Sequence, residues 1–318
     1  MLSSFSHKIS YSTLGVAMAV INFGSINIDH IYTVAHFVTP GETLSSSNYQ
    51  SVLGGKGANQ SIACALANGD VKHVGSVHTN DASFIDILDK AGVNTQFVEK
   101  QDSTATGHAI IQVNSDGENA IVLFAGANHQ LSTQQIDNVL NSASKDDWVL
   151  LQNETNAIGD IIDKASALGL AIAFNPAPMT PNIATLALDK VTLLFVNEIE
   201  AMQLTQTENI DDAAHIMREK YPNTKVIMTL GKAGVKYLYR GDEVNVSGFK
   251  VDAIDTTAAG DTFTGFFLAT YIKNLAANIS DPALALLNAC AAAALCVTKQ
   301  GAAPSIPSAS EVNNFLAK

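Results

Sequence analysis

From about Asp147 onward, short apolar runs alternate with helix-length segments of mixed polarity. The runs are "WVLLQ" (148–152), "LAIAF" (170–174), "VTLLFV" (191–196) and "TKVIM" (224–228). Continuous apolar runs of this length suit strands buried on both faces. Their alternation with helices predicts a parallel, doubly wound sheet. Each run gives way to polar residues: Glu154, Asn175, Asn197 and Thr229. In open α/β sheets, ligands sit beyond the carboxyl ends of the strands. One such residue has a turn-forming explanation; four in succession outline a cleft.

Two regions read differently. Residues 28–52 and 104–124, with "HIYTVAHFV" and "TATGHAIIQVNSDGENAIVLF", look like antiparallel strands, with "NSDGENA" as a hairpin turn. They predict a small β-sheet inserted into the α/β unit and able to act as a lid. Near the N-terminus, "LGVAMAVI" (14–21) is read as a first strand in preference to a secretory leader, because the preceding basic region is weak. "PALALLNACAAAALCVT" (282–298) is read as a packed internal helix, with Pro282 at its first turn and Gly301 beyond its end. It is too short and too rich in alanine for a membrane span.

Composition narrows the function classes. The 318-residue chain is 47% hydrophobic, enough for a sizeable core. Lys and Arg number 18 against 30 Asp and Glu, a net charge of −12. That balance argues against nucleic-acid and anionic-membrane partners, which select basic surfaces. An anionic small molecule stays open, since it needs only a local positive pocket. Cys64, Cys290 and Cys296 lie in apolar, Ala-rich stretches and form no C-x-x-C pair. They read as buried thiols in a reducing cytoplasm.

Two stretches carry candidate chemistry. "DTTAAGDTF" (255–263) places its smallest residues before an acid, at the mouth of a long apolar run. Asp261 is either a helix N-cap or a catalytic carboxylate beside an anion-binding turn. "GGKGANQS" (54–61) precedes the apolar "IACALA". It fails the Walker A spacing, but glycines at a helix start let a ligand approach the backbone closely.

Together these segments resemble the ribokinase family of carbohydrate kinases. The resemblance rests on "GSINIDH", "PGET", "GGKGANQ", "DGEN", "AGAN", "NPAP", "NEIEA", "TLGKAG", "DTTAAGDTF" and "GAAPSIP", in the family's order over nearly the whole chain. It implies a three-layer α/β/α doubly wound, mostly parallel sheet with an inserted β lid. The α/β kinase domain would take residues 16–27, 53–103 and 125–318, the lid 28–52 and 104–124, and an N-terminal tail 1–15. The activity implied is phosphorylation of D-ribose at O5 by ATP in the cytoplasm, by a homodimer joined through the lid.

The resemblance also assigns roles. Asp261 matches the catalytic base, and Ala258, Ala259 and Gly260 the anion hole. Asn27, Asp29, Gly55, Lys56, Gly57, Asn59 and Glu154 match the sugar contacts. Asn197, Thr229, Gly231, Gly234, Gly260 and Asn288 match the nucleotide contacts. Glu200 matches a glutamate linked to Mg²⁺ through water. Asp255, Thr257, Cys296, Lys299, Gly301 and Ser305 match a K⁺ site built largely of backbone carbonyls; Asp255 is alternatively a turn-former. Three positions depart from the family signatures: Phe266 where Gly or Ala is expected, Asn68 where Gly or Ser is, and His78 where Gly is. The competing readings are a kinase for another sugar or a nucleoside, and a non-catalytic sugar-binding protein.

Overall fold

The computed structural model describes residues 18–318. The expected tail (1–15) and the start of "LGVAMAVI" lie outside the described residues.

In chain order the first elements are β1 (Val20–Phe23), β2 (Asn27–Thr33), β3 (Asn48–Gly54), α1 (Lys56–Leu66), β4 (Val71–His78), α2 (Ile85–Lys90), β5 (Asn94–Gln101), β6 (Gly107–Val113) and β7 (Asn119–Phe124). The alternating half begins with α3 (Thr133–Asn141) and continues through β8 (Trp148–Gln152), α4 (Ile158–Ala167), β9 (Ala171–Asn175), β10 (Leu193–Asn197), α5 (Glu198–Thr205), α6 (Ile210–Lys220) and β11 (Lys225–Thr229). A hairpin follows, β12 (Gly234–Tyr239) and β13 (Asp242–Ser247), then α7 (Ala259–Ala276), α8 (Ala283–Cys296) and α9 (Ala309–Leu316).

The large sheet has the order β13-β12-β11-β10-β9-β8-β1-β4-β5. It is parallel from β5 to β11, while β12 pairs antiparallel with both β11 and β13. Alternate residues of each central strand enter different cores, as the two-residue period of a strand requires. Val20, Leu150, Phe195 and Ile227 face the core shared with α1, α7 and α8. Ile21, Leu151, Val196 and Met228 face the core shared with α3, α4 and α6. This is the three-layer arrangement expected of strands with no polar alternation.

The smaller sheet has the order β3-β2-β6-β7. Its outer pairs are antiparallel, but β2 and β6 run parallel, with Asn27 opposite Gly107 and Thr33 opposite Val113. The all-antiparallel expectation is corrected there. The chain leaves this sheet after β3, builds α1 to β5, and re-enters in the same direction. The β6–β7 hairpin turn is held by Asn114, whose Oδ1 accepts the N–H groups of Asp116 and Glu118.

The departures from the family signatures have local accounts. Asn68 has φ of 63°, a left-handed conformation that Asn tolerates better than most residues. His78 caps the next turn, its Nδ1 accepting the Asn80 N–H at 3.1 Å. Phe266 is buried in the core that α7 shares with α1 and α8. All three cysteines are buried and unpaired.

Helices α1 and α7 approach closely at Gly265. A Cβ there would stand 2.5 Å from Ala63 Cβ, 2.6 Å from Cys64 N and 2.7 Å from Gln60 O. Two of these are backbone atoms, which cannot rotate aside. Gly265→Ala is therefore expected to lower stability by about 1–3 kcal/mol. Urea unfolding would show this as a lower midpoint; an unchanged midpoint would contradict the close approach.

Candidate active site

A cleft of about 230 Å³ opens beyond the carboxyl ends of β9, β10 and β11. Asn175, Asn197 and Thr229, the last residues of those strands, line it. Lys56 enters from α1, and Ala258, Ala259, Gly260, Asp261 and Thr264 from the start of α7.

Asp261 is the third residue of α7 and 8% exposed. The cap position belongs to Ala258, which has φ of 60° and offers no side-chain oxygen. The N-cap reading of Asp261 is thereby excluded. Its Oδ2 accepts a hydrogen bond from Asn59 Nδ2 at 3.0 Å, and its Oδ1 one from Gln60 Nε2 at 2.9 Å. A helix that starts without a side-chain cap leaves first-turn N–H groups unmatched and gathers partial positive charge there. The space beside Gly260 is open: a Cβ there would meet nothing within 4 Å. Small residues, a strained αL residue and free helix N–H groups make a place suited to an anion.

The start of α1 is held from across the fold. Glu154 Oε2 accepts the Lys56 N–H at 2.9 Å and also the Ser25 hydroxyl. Ser25 Oγ in turn accepts the Gly57 N–H at 3.1 Å. The Gly57 backbone lies against Gly24, where an added Cβ would stand 2.4 Å from Gly24 Cα. Burial pulls the Lys56 ammonium toward its neutral form, but Asp261, Glu154 and Glu200 outweigh it and raise its pKa. Lys56 is thus a cation placed among three carboxylates. Burial raises the Glu154 pKa, opposed by Lys56 and the Ser25 hydroxyl.

Asn27 is buried, its Oδ1 accepting from Asn128 Nδ2 at 2.7 Å, while Asn128 Oδ1 accepts the Ile26 N–H. Asp29 is pushed up to about 6 by burial and by the charge of Glu154. Asn59 Oδ1 is buried with no partner, an acceptor that a polar ligand would satisfy.

Asn197 and Glu200 cap α5 reciprocally: the Asn197 side chain accepts the Glu200 N–H at 2.8 Å, and Glu200 Oε2 the Asn197 N–H at 2.9 Å. Both still line the cleft. Burial raises the Glu200 pKa, and the Asn197 N–H and Lys56 oppose the shift.

Other expected site residues stand elsewhere. Gly231, Gly234 and Asn288 are not in the cleft lining, and of the expected sugar contacts only Lys56 and Asp261 are. Gly234 packs on β13, where a Cβ would stand 2.0 Å from Val246 O. Asp255 forms a turn: Oδ1 accepts the Thr257 N–H and hydroxyl, and Oδ2 the Gly301 N–H. Burial pushes its carboxyl up, but these hydrogen bonds prevail and hold it below the ordinary range. Cys296 Sγ lies 3.0 Å from Ser305 Oγ and 3.7 Å from Thr257 O, so these residues do converge. The Lys299 ammonium turns away to Glu311 at 2.9 Å.

Known proteins place this architecture. The family model described as pfkB family carbohydrate kinase matches residues 19–309. The ribokinase of Haemophilus influenzae is 36% identical over 304 residues, covering 92% of this chain and 96% of that protein. The chain belongs to the pfkB family of carbohydrate kinases. The deoxyribokinase of Salmonella typhi is 32% identical over 310 residues, covering 94% of this chain and 99% of that protein. The structure of Arabidopsis thaliana ribokinase complexed with ribose and ATP superposes with a TM-score of 0.83 at 29% identity, covering 95% of this chain and 99% of that one.

Within this pfkB kinase, sequence reasoning missed several residues at the cleft. Thr256 and Thr264 flank the small residues and line it, as does Phe195. Thr256 stands inside the quoted motif and Thr264 directly after it, so both were legible as its polar rim. Gln60, which binds Asp261, followed the recognised Asn59 and carried no signal of its own.

The state of Asp29 gives a pH test. Its folded pKa near 6 lies above the unfolded value of about 4. Between those values the folded chain binds the extra proton, so this group's contribution to stability falls as pH rises from about 4 to 6. Asp29→Asn is therefore expected to be more stable than the parent, relative to it, at about pH 7.5 than at about pH 4.5. Urea midpoints at both values would measure this; a pH-independent difference would contradict it.

Proposed function

We propose that this protein transfers the γ-phosphoryl group of ATP to O5 of D-ribose, with Asp261 as the general base. The observation that carries the reading is the Asp261 carboxylate, held by two amide donors at an uncapped helix start beside Gly260. Similarity to ribokinases over most of the chain supports the choice of sugar.

The chemistry follows from the residues. A sugar hydroxyl beside Asp261 gives its proton to the carboxylate as it attacks phosphorus. Asn59 and Gln60 donate to the carboxylate, so neither competes for that proton. N–H groups at the start of α7, with Ala258, Ala259 and Gly260 leaving the space open, take the charge of the transferring phosphoryl oxygens. Lys56 adds a positive charge. Asn27, Asp29 and Glu154, with the backbone of Gly55 and Gly57, hold the sugar hydroxyls. Asn197, Thr229 and the 229–234 loop hold the nucleotide, with Asn288 at its far end.

Mg²⁺ would neutralise phosphate charge, held through water by Glu200, whose oxygen suits a hard cation that keeps its waters. Asp255 and the carbonyls of Thr257, Cys296, Lys299 and Gly301, with Ser305, are hard oxygen donors of the kind an alkali cation takes. We assign K⁺ there. It would fix the turn that leads into Ala258.

A second reading is a preference for deoxyribose, favoured by the similarity to a deoxyribokinase. ADP release measured with ribose, deoxyribose, fructose and adenosine separates the two. Ribose is expected to give the highest kcat/KM, and a large excess of any other would overturn the choice. Activity is also expected to fall when K⁺ is replaced by a large organic cation; equal rates would remove the cation site. Asp261→Asn should lower kcat by a factor of about 10²–10⁴ while ribose binding stays within a few-fold. A variant that keeps most of its kcat would eliminate Asp261 as the base.

The homodimer is proposed on the lid's edge. Ile121, Val122, Leu123 and Phe124 of β7 are all exposed, and β7 is an edge strand. An exposed apolar edge of this kind is normally covered. Val122→Asp is expected to move a dimer toward monomer in sedimentation; a parent that sediments as a monomer at micromolar concentration would contradict the proposal.

A further inference from the structure

Behind Asp261 a chain of buried side chains runs from Gln60 to His73. Gln60 Nε2 donates to Asp261 Oδ1 at 2.9 Å and to Asn175 Oδ1 at 3.1 Å. Gln60 Oε1 accepts from Gln152 Nε2 at 2.8 Å, and Gln152 Nε2 also donates to Asn22 Oδ1 at 3.0 Å. Asn22 Nδ2 donates to Gly57 O and to Ser61 Oγ, both at 2.8 Å. Ser61 Oγ lies 2.8 Å from His73 Nδ1, and His73 Nε2 lies 3.1 Å from Gly24 O. Gln60, Gln152, Asn22, Ser61 and His73 are each no more than 1% exposed.

The direction of every bond is fixed by its ends. Asp261, as a carboxylate, only accepts, so Gln60 must turn its NH₂ toward it. Asn175 spends its own NH₂ on Phe195 O, so it presents its oxygen to Gln60. Gln60 Oε1 then faces Gln152, which must donate. At the far end, the carbonyls of Gly57 and Gly24 only accept. They orient the Asn22 amide and place the hydrogen of His73 on Nε2. Burial pushes the His73 pKa down to about 4, so the ring is neutral and Nδ1 accepts from Ser61. The chain carries no charge and points a donor at Asp261. A reversal of any one amide would set two oxygens face to face.

We propose that Gln60 is a positioning residue for phosphoryl transfer, and that Gln152 and Asn22 lock its amide so that it donates to Asp261 and cannot rotate away. The inference rests on the proposed role of Asp261 as base. In this position Gln60 fixes the plane of the carboxylate, so that one oxygen is aimed at the acceptor hydroxyl. Asn59 serves the other oxygen but lies against the sugar site, whereas Gln60 lies behind the base and ties it to the strand ends of β8 and β9.

The test is single-turnover phosphoryl transfer to ribose, read against ligand binding. It compares the parent with Gln60→Met, Gln152→Met and Asp261→Asn, alongside ribose and ATP binding and the thermal midpoint. Gln60→Met keeps the length and removes the donor. Its transfer rate is expected to fall about tenfold or more. Ribose and ATP dissociation constants should stay within about twofold, because Gln60 is placed behind the base and not against either ligand. Gln152→Met frees the Gln60 amide and is expected to lower the same rate by a smaller factor, again with ligand binding within about twofold. A folded Gln60→Met with the parent's transfer rate would overturn the proposal. So would a variant that loses only thermal stability. If Gln60→Met does not fold, Gln152→Met decides on the same criteria. Turnover retained by Asp261→Asn would instead remove the base itself, a failure distinct from that of the network.

Discussion

A carboxylate taken out of water is costly, by several kcal/mol, unless each of its oxygens finds a donor. Asp261 is buried at the start of a helix, and both of its oxygens are met by consecutive amides of α1. Much of the architecture serves that arrangement. Asn59 and Gln60 reach Asp261 because α1 and α7 lie side by side. They lie side by side because Gly265, one turn beyond Asp261, has no side chain to hold them apart. The start of α1 is in turn fixed by Glu154 and Ser25, and by the backbone contact of Gly57 with Gly24. A carboxylate from the β8–α4 connection, a hydroxyl from the end of β1 and two helices thus converge on one short stretch of backbone.

The electrostatics are local and run against the bulk charge. The chain carries a net charge of −12, and Asp261, Glu154 and Glu200 bring three carboxylates together. Lys56 sits among them with its pKa raised. The uncapped start of α7 adds partial positive charge beside the open space at Gly260. A site for polyphosphate in an acidic protein needs this kind of concentration. The small residues before Asp261 follow from it: larger side chains would fill the space that the N–H groups face.

Much of the fold was legible in the sequence because strands buried on both faces read as unbroken apolar runs. The runs at 148–152, 170–174, 191–196 and 224–228 became β8 to β11 within a residue or two. The lid strands were legible by composition and by the turn at Asn114. The parallel pairing of β2 with β6 was not, since direction depends on where the chain goes between them. The motif at 255–263 left Asp261 divided between a cap and a base. Only the helix start at Ala259 separates those readings, and it turns on the backbone of Ala258. Asp255 likewise is a turn-former in its hydrogen bonds, whatever else it holds. Gln60 and Gln152 were invisible: their partners lie 92 to 201 residues away in sequence, and an amide carries no spacing signature. Phe266 broke the family pattern in the sequence yet is buried in the core that α7 shares with α1 and α8.

The account rests on Asp261 taking a proton and never carrying the phosphoryl group. Transfer from ATP made chiral at its γ-phosphorus by oxygen isotopes tests this directly. A single in-line displacement by the sugar hydroxyl predicts inversion of configuration at phosphorus in the sugar phosphate. Retention would mean two displacements through a phosphorylated enzyme group, and would contradict the role assigned to Asp261.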